Sequence, residues 1–227
     1  MRLLINITIF ILFSQNVFAH SEHYKNFKSI EMEIFKDEKP IGFSIYEFQK
    51  NNDELKVSNN TEFKVKLLGV TVFSISSNGI EIYQNGKLIS FKSETYQNDK
   101  KKYVDLKFDP LINKFRINGS SYNGLADIEN IIGNWWNHEI LQSESQISPL
   151  SGSIKKQTIE FIGKETISLY GREYKTERFK IKSTEQNLPD DKKLNFDIWY
   201  DKETALILKI AYKRLGSWEY RLKIYER

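Results

Sequence analysis

From residue 29 to residue 117 hydrophobic and polar positions alternate almost continuously, and clusters of turn residues break the alternation at short intervals. The run 55–67 is the cleanest. Leu55, Val57, Asn59, Thr61, Phe63, Val65 and Leu67 face one way, and Lys56, Ser58, Asn60, Glu62, Lys64 and Lys66 the other. A period of two means an extended strand with one packed and one wet face. At ~3.3 Å per residue this strand spans roughly 40 Å, and a strand that long twists and wraps its sheet. Shorter runs repeat the pattern at 29–35, 41–45, 80–84, 87–91, 103–108 and 115–117. The joints are Asp37-Glu38-Lys39-Pro40, Asn51-Asn52-Asp53, Asn85-Gly86, Gln97-Asn98-Asp99 and Asp109-Pro110. Asn85-Gly86 is the strongest of these, because both residues accept the positive φ of a type I′ hairpin turn.

The period then changes. Ile128, Ile131, Ile132, Trp135, Trp136 and Ile140 follow helical spacing, with Glu129, Asn130, Asn134, Asn137 and His138 opposite them. This predicts one short amphipathic helix near residues 127–140, weakened by Gly133. Within it Trp136, at i±4 from Ile132 and Ile140, is expected to lie deeper than Trp135. A Ser-rich connection at 142–152 marks a soft boundary between two β halves. Beyond it, 158–169 reads as a hairpin around Gly163-Lys164-Glu165, and Tyr170-Gly171-Arg172 as a turn. A slip in phase between Thr176 and Phe179 predicts a β-bulge near Glu177 and Arg178. Three further strands close the chain, the first with Leu194, Phe196, Ile198 and Tyr200 on one face. The expected fold is all-β: a long curved antiparallel sheet forming an incomplete or flattened barrel, with one short helix.

Residues 1–19 are set apart from this pattern. A basic start, a mostly apolar stretch at 3–13 and Val17-Phe18-Ala19 read as a secretory signal peptide cleaved after Ala19, since about 11 apolar-biased residues are too few to span a bilayer. Residues 20–227 are expected to form a single β domain in the periplasm, with no transmembrane segment in the mature chain. The chain has no cysteine, so its stability rests on the sheet and its core. Its net charge of +4 comes from 34 basic and 30 acidic residues, a mixture that excludes a nucleic-acid footprint.

Candidate chemistry is sparse. His20, His23 and His138 are the only histidines, which makes a metal site poorly supported, and no cofactor is implied. His138-Glu139 beside two tryptophans has the residue types for acid–base work. Asp197 and Asp201 share the odd face of one strand and have the residue types for glycan hydrolysis. The aromatic content is the stronger signal: 4 Trp, 12 Tyr and 15 Phe. Two readings follow, a core built largely of aromatics or a concave apolar cavity for a lipid or acyl chain. In the second, Trp135, Trp136, Trp199 and Trp218 are the ligand-lining candidates.

Four anchors carry a resemblance across about residues 30–225: Pro40-Ile41-Gly42, the double hairpin from Gly79 to Asp99, Trp136-Asn137, and Ile198-Trp199-Tyr200-Asp201. In their order the chain resembles a domain-of-unknown-function family of uncharacterised bacterial exported proteins. The resemblance implies export in a Gram-negative cell and a curved antiparallel β structure, and brings no activity or site residues with it. By architecture the chain is also similar to lipoprotein carriers that hold acyl chains in an open half-barrel. The leading expectation is a non-enzymatic periplasmic protein binding a hydrophobic ligand or an envelope partner. The alternatives are a structural or assembly factor of the cell envelope without ligand, and an envelope hydrolase using Asp197 and Asp201.

Overall fold

The computed structural model describes residues 24, 26–185, 187–189 and 192–227. The leader, its cleavage after Ala19, and His20 and His23 lie outside the described residues. The chain forms β1 (Ser29–Lys36), β2 (Lys39–Asn51), β3 (Glu54–Leu67), β4 (Val70–Gln84), β5 (Lys87–Gln97), β6 (Lys100–Asp109), β7 (Lys114–Gly119) and β8 (Asn123–Asp127). It continues through β9 (Ile131–Ile132), a 3₁₀ turn (His138–Leu141), β10 (Ser145–Ile147), β11 (Ile154–Leu169), β12 (Arg172–Ser183), β13 (Asn195–Asp201), β14 (Leu206–Lys213) and β15 (Ser217–Glu226). The strands make one sheet. Its order runs from β8 back through each preceding strand to β1, crosses to β15, and runs back through β14 to β9. Neighbours are antiparallel except β9 with β10. The turn chemistry read from the sequence is in place: Asn85 and Gly86 take φ of 49 and 76, and Asn52 and Asn98 are also at positive φ.

The pairing of β1 with β15, from Ser29 opposite Glu226 to Lys36 opposite Trp218, ties the two ends of the described chain together. The sheet curls without closing, because β8 and β9 are its two edges and do not pair. Side chains fill the seam instead. Ile132 of β9 and Ile147 of β10 pack in one cluster with Phe115, Ile117 and Ala126 from β7 and β8. The backbone N–H of Ser121 donates to the Ser151 carbonyl at 2.9 Å across this seam. The main core gathers Ile30, Met32, Phe48, Val57, Ile198 and Ile210 around Trp136. A smaller cluster of Ile34, Phe63, Ile75 and Trp218 fills the other end.

Three expectations need correction. The segment at 127–140 contains no α-helix: Ile131 and Ile132 are extended beside β10, and only His138–Leu141 winds, as a 3₁₀ turn. Of the polar face of the expected helix, Asn130, Asn134, Asn137 and His138 are buried and Glu129 alone is exposed. The segment is enclosed by the sheet, so its polar residues pair with protein groups and a two-faced helix is not required. The expected hairpin around Gly163 is one continuous strand, β11, which pairs with β12 from Gln157 to Leu169. The bulge lies on β11 rather than on β12. Phe161 pairs with Phe179 and Gly163 with Arg178, which leaves Ile162 as the extra residue. The true turn is Tyr170-Gly171, with φ of 49 and 79. From there Tyr170 Oη reaches back to Glu33 Oε2 of β1 at 2.7 Å, so the tip of this hairpin folds over the outer face of the sheet.

Candidate functional site

The most distinctive site is where the segment after β9 enters the barrel. Trp136 is 1 % exposed. Its ring meets Tyr24, Phe48 and Tyr83 edge-on, with centroids 4.9, 5.5 and 5.7 Å away. These geometries suit the quadrupoles of the rings. Its indole N–H donates to Glu81 Oε1 at 2.9 Å. The same oxygen accepts from Asn134 Nδ2 at 2.5 Å, and Glu81 Oε2 accepts from Tyr83 Oη at 2.5 Å. Glu81 is thus a buried carboxyl with three neutral donors. Burial pushes its pKa up, and the bonds from Tyr83, Trp136 and Asn134 offset this only in part. Burial also raises Tyr83, with the Glu81 carboxyl adding to it.

Further polar contacts hold the same segment. Tyr24 Oη accepts the backbone N–H of His138 at 3.1 Å and lies 2.7 Å from His138 Nδ1. The His138 ring stacks on Tyr200 with centroids 5.3 Å apart. Burial raises Tyr24 above the ordinary phenol range. Tyr46 Oη accepts from the Trp135 backbone N–H at 3.3 Å, and burial pushes Tyr46 up to about 12. Gln157 Nε2 donates to the carbonyls of Ile140 and Ser143 at 3.1 and 2.8 Å. Asn137 Oδ1 caps the 3₁₀ turn by accepting from the Glu139 N–H at 3.0 Å. A Cβ at Gly133 would meet the Gln146 side-chain oxygen, so that side chain would have to move. Next to this site two hydroxyl pairs line adjacent inner strands: Ser44 with Thr61, and Ser77 with Thr95, each at 2.7 Å.

The four candidate tryptophans do not converge. Trp136 is the deeper of the two adjacent tryptophans, and Trp135 packs nearer the edge against Phe196 at 5.1 Å. Trp218 lies in the cluster at the far end with Phe63, and its indole N–H donates to the Arg214 carbonyl at 2.8 Å. Trp199 sits on the outer face, between the Arg178 guanidinium at 5.0 Å and the Lys209 ammonium at 4.9 Å, with its N–H on Glu165 Oε1. The two aspartates are likewise apart. Four residues along an extended strand separate them by about 13 Å, outside the roughly 5–9.5 Å that glycosidase carboxyl pairs occupy. Burial alone would raise Asp197, but Lys180 and Arg178, at 2.7 and 2.8 Å, outweigh it and hold the carboxyl below its ordinary range. Asp201 caps its own turn through the Glu203 N–H and the Thr204 hydroxyl.

No group of three metal-ligating side chains occurs among the described residues, and none of their helices is long and apolar enough to cross a membrane. A depression of about 630 Å³ is lined by Lys164, Glu165, Lys175, Glu177, Asp201 and Lys202, and one of about 370 Å³ by Asp105, Lys107, Arg116 and Asn118. Both are open and charged, unlike an acyl pocket. Glu81 left little trace in the sequence. It stands between Ile80 and Ile82 in an apolar-rich run, yet Ile80 is exposed while Glu81 and Tyr83 turn inward. The tryptophan next to an asparagine and a histidine was the only visible signal of this site.

Residues 32–223 match the family described as "Domain of unknown function (DUF6134)". No curated protein matches the chain. Among solved structures the chain is similar to a β-barrel-like protein of domain of unknown function DUF1849 from Brucella abortus. The identity is 8 %, the TM-score 0.57, and the match covers 87 % of this chain and 96 % of that one. At this identity the likeness concerns the fold alone. An uncharacterised family and a curved antiparallel β structure are what the sequence resemblance implied.

Proposed function

The chain belongs to the family of domains of unknown function DUF6134, and from that premise we propose that it is a non-enzymatic periplasmic protein that binds an envelope partner through its surface. One observation carries this reading: the interior is already occupied by the chain's own Trp136, latched to Glu81. An acyl chain needs an apolar pocket of some 300 Å³ or more, and here that space holds Trp136, Tyr24 and Ile140. The polar groups of the site all face one another, which suits a scaffold better than a catalyst. Titration with a fluorescent fatty acid tests the reading. The expected result is no saturable binding. Stoichiometric binding that weakens in Trp136→Ala overturns it in favour of an interior carrier. A specific feature favours that second reading. Past β9 and β10 the plug is held by side-chain bonds to Glu81, Tyr24 and Gln157, which can open without breaking the large sheet.

A further inference from the structure

Several turns in this chain use residues that accept positive φ at low cost, among them Asn52, Asn85, Asn98 and Asn113. Others place Glu38, Leu68, Tyr170, Ala205 and Leu215 there. Glu38 pairs with Arg221, Tyr170 bonds to Glu33 and Ala205 is small and half-buried, which leaves two large apolar residues to account for. Leu68 (φ 49) and Leu215 (φ 47) are 97 % and 94 % exposed, and each precedes a glycine at positive φ. The left-handed region brings a leucine Cβ against backbone, and an exposed leucine gains nothing from burial. Asparagine would serve both turns better. A residue that folding itself disfavours points to a role outside the fold.

The two tips share one end of the sheet. Antiparallel order places the β3–β4 and β14–β15 turns at the same rim. Trp218, just past the second tip, packs against Phe63 of β3 and Phe73 of β4 at 5.6 and 6.4 Å. The first tip also projects. β2 pairs with β3 only as far as Phe63, and β5 joins β4 only from Ile75, whereas β3 and β4 stay paired out to Leu67 and Val70. This two-stranded finger exposes Leu67, Val70 and Val72 as well as Leu68. Lys64 and Lys66 flank it and Lys213 and Arg214 flank the second tip, all exposed. None of the four is in an ion pair with another described residue. Of the described acids at this rim, Asp37 is held by Lys36 and Ser217, and Glu38 by Arg221, while Glu62, Asp99 and Glu185 of the β12–β13 connection are exposed.

Apolar tips with a cationic collar fit a surface that is anionic at its boundary and apolar beneath. A finger two strands wide is narrow for a protein interface, which takes about 800 Å² per partner. We propose that this rim docks on an anionic lipid bilayer, with Leu68 and Leu215 entering the acyl boundary and Lys64, Lys66, Lys213 and Arg214 resting among the headgroups. The proposal rests on the reading that the protein acts through its surface, and names the partner.

Co-sedimentation of the purified protein with vesicles tests it, using phosphatidylcholine alone and phosphatidylcholine mixed with phosphatidylglycerol. The expected result is binding to the phosphatidylglycerol vesicles that salt weakens. Leu68→Asn and Leu215→Asn should each weaken binding about tenfold. Lys64→Gln and Lys66→Gln should each weaken it about fivefold on the anionic vesicles only. Asparagine suits both turns, so the thermal midpoints of the leucine variants should stay level or rise, separating lost docking from lost folding. Absence of binding by the wild type, or unchanged binding in the double leucine variant, overturns the proposal. So does a concentration-dependent dimer that Leu68→Asn dissolves, which assigns the tips to a second copy. None of these outcomes alters the fatty-acid titration, so failure here is distinguishable from failure of the filled-scaffold reading.

Discussion

At the scale of single residues, Glu81 decides the character of the interior. A carboxyl wholly removed from water and without a cation beside it costs free energy whenever it is ionised. Its pKa is raised above the ordinary value of 4.5, first by burial. The sign follows by linkage. The folded protein holds this proton more tightly than the unfolded chain, so the stability from the group is fully present below the ordinary value and is lost as pH rises through the raised one. Urea midpoints measured upward from that ordinary value should therefore fall for the wild type. They should fall less for Glu81→Gln, which keeps an acceptor for Asn134 and Trp136 but does not titrate; parallel profiles would contradict this. The tryptophans give a second test. Trp136→Ala empties the centre of the core and should cost about 3–5 kcal/mol in urea denaturation. Trp135→Ala, at the edge against Phe196, should cost clearly less. The order of depth was legible from the isoleucines around Trp136, although the helix used to argue it is not there.

At the scale of elements, the seam is the vulnerable part. It is closed by β9, β10 and the loop after them, which together make few ladder bonds with each other and none with β8. Gly119 at the end of β7 lets the Ser151–Gly152 backbone lie directly on the sheet; a Cβ would sit 2.6 Å from the Ser151 carbonyl oxygen. Gly119→Ala should therefore cost about 1–3 kcal/mol as an overpacking change against rigid backbone. Its effect should be greatest on hydrogen exchange in β9 and β10, and uniform loss of protection across the sheet would contradict a seam-local role. The long strands were legible because alternation and Asn/Gly turns are local signals. The seam was not. β8, β9 and β10 are at most five residues long, too short to establish a period, and between β9 and β10 polar Asn134, Asn137 and His138 are buried alongside Trp136 and Ile140.

At the scale of the whole molecule, each half of the chain builds its share of the sheet from consecutive strands, and the β1–β15 pairing in the middle of the sheet order, with a main core drawn from both halves, joins the two. The segment 142–152 does not hang between them: Ser93 Oγ donates to the Pro149 carbonyl at 2.5 Å, and Ser151 receives the Ser121 N–H. One cooperative unfolding transition is expected, with tryptophan fluorescence and far-UV circular dichroism coincident in urea. Two separated transitions would mean that the halves on either side of that segment fold as units. Refolding should be limited by the β1–β15 pairing, the one ladder among the described strands that joins partners distant in sequence. By itself the sequence determined most of the long strands, their Asn/Gly turns and hence a wrapping antiparallel sheet, since alternation and positive φ are properties of neighbouring residues. Only the tertiary structure decided that Glu81 faces inward, that the 127–140 segment plugs the barrel without forming an α-helix, and that the four tryptophans stand at different places. Those outcomes depend on which surfaces meet across the curled sheet. A buried amide or carboxyl is tolerated where donors and acceptors from strands far apart in sequence converge on it, and no local pattern records that convergence.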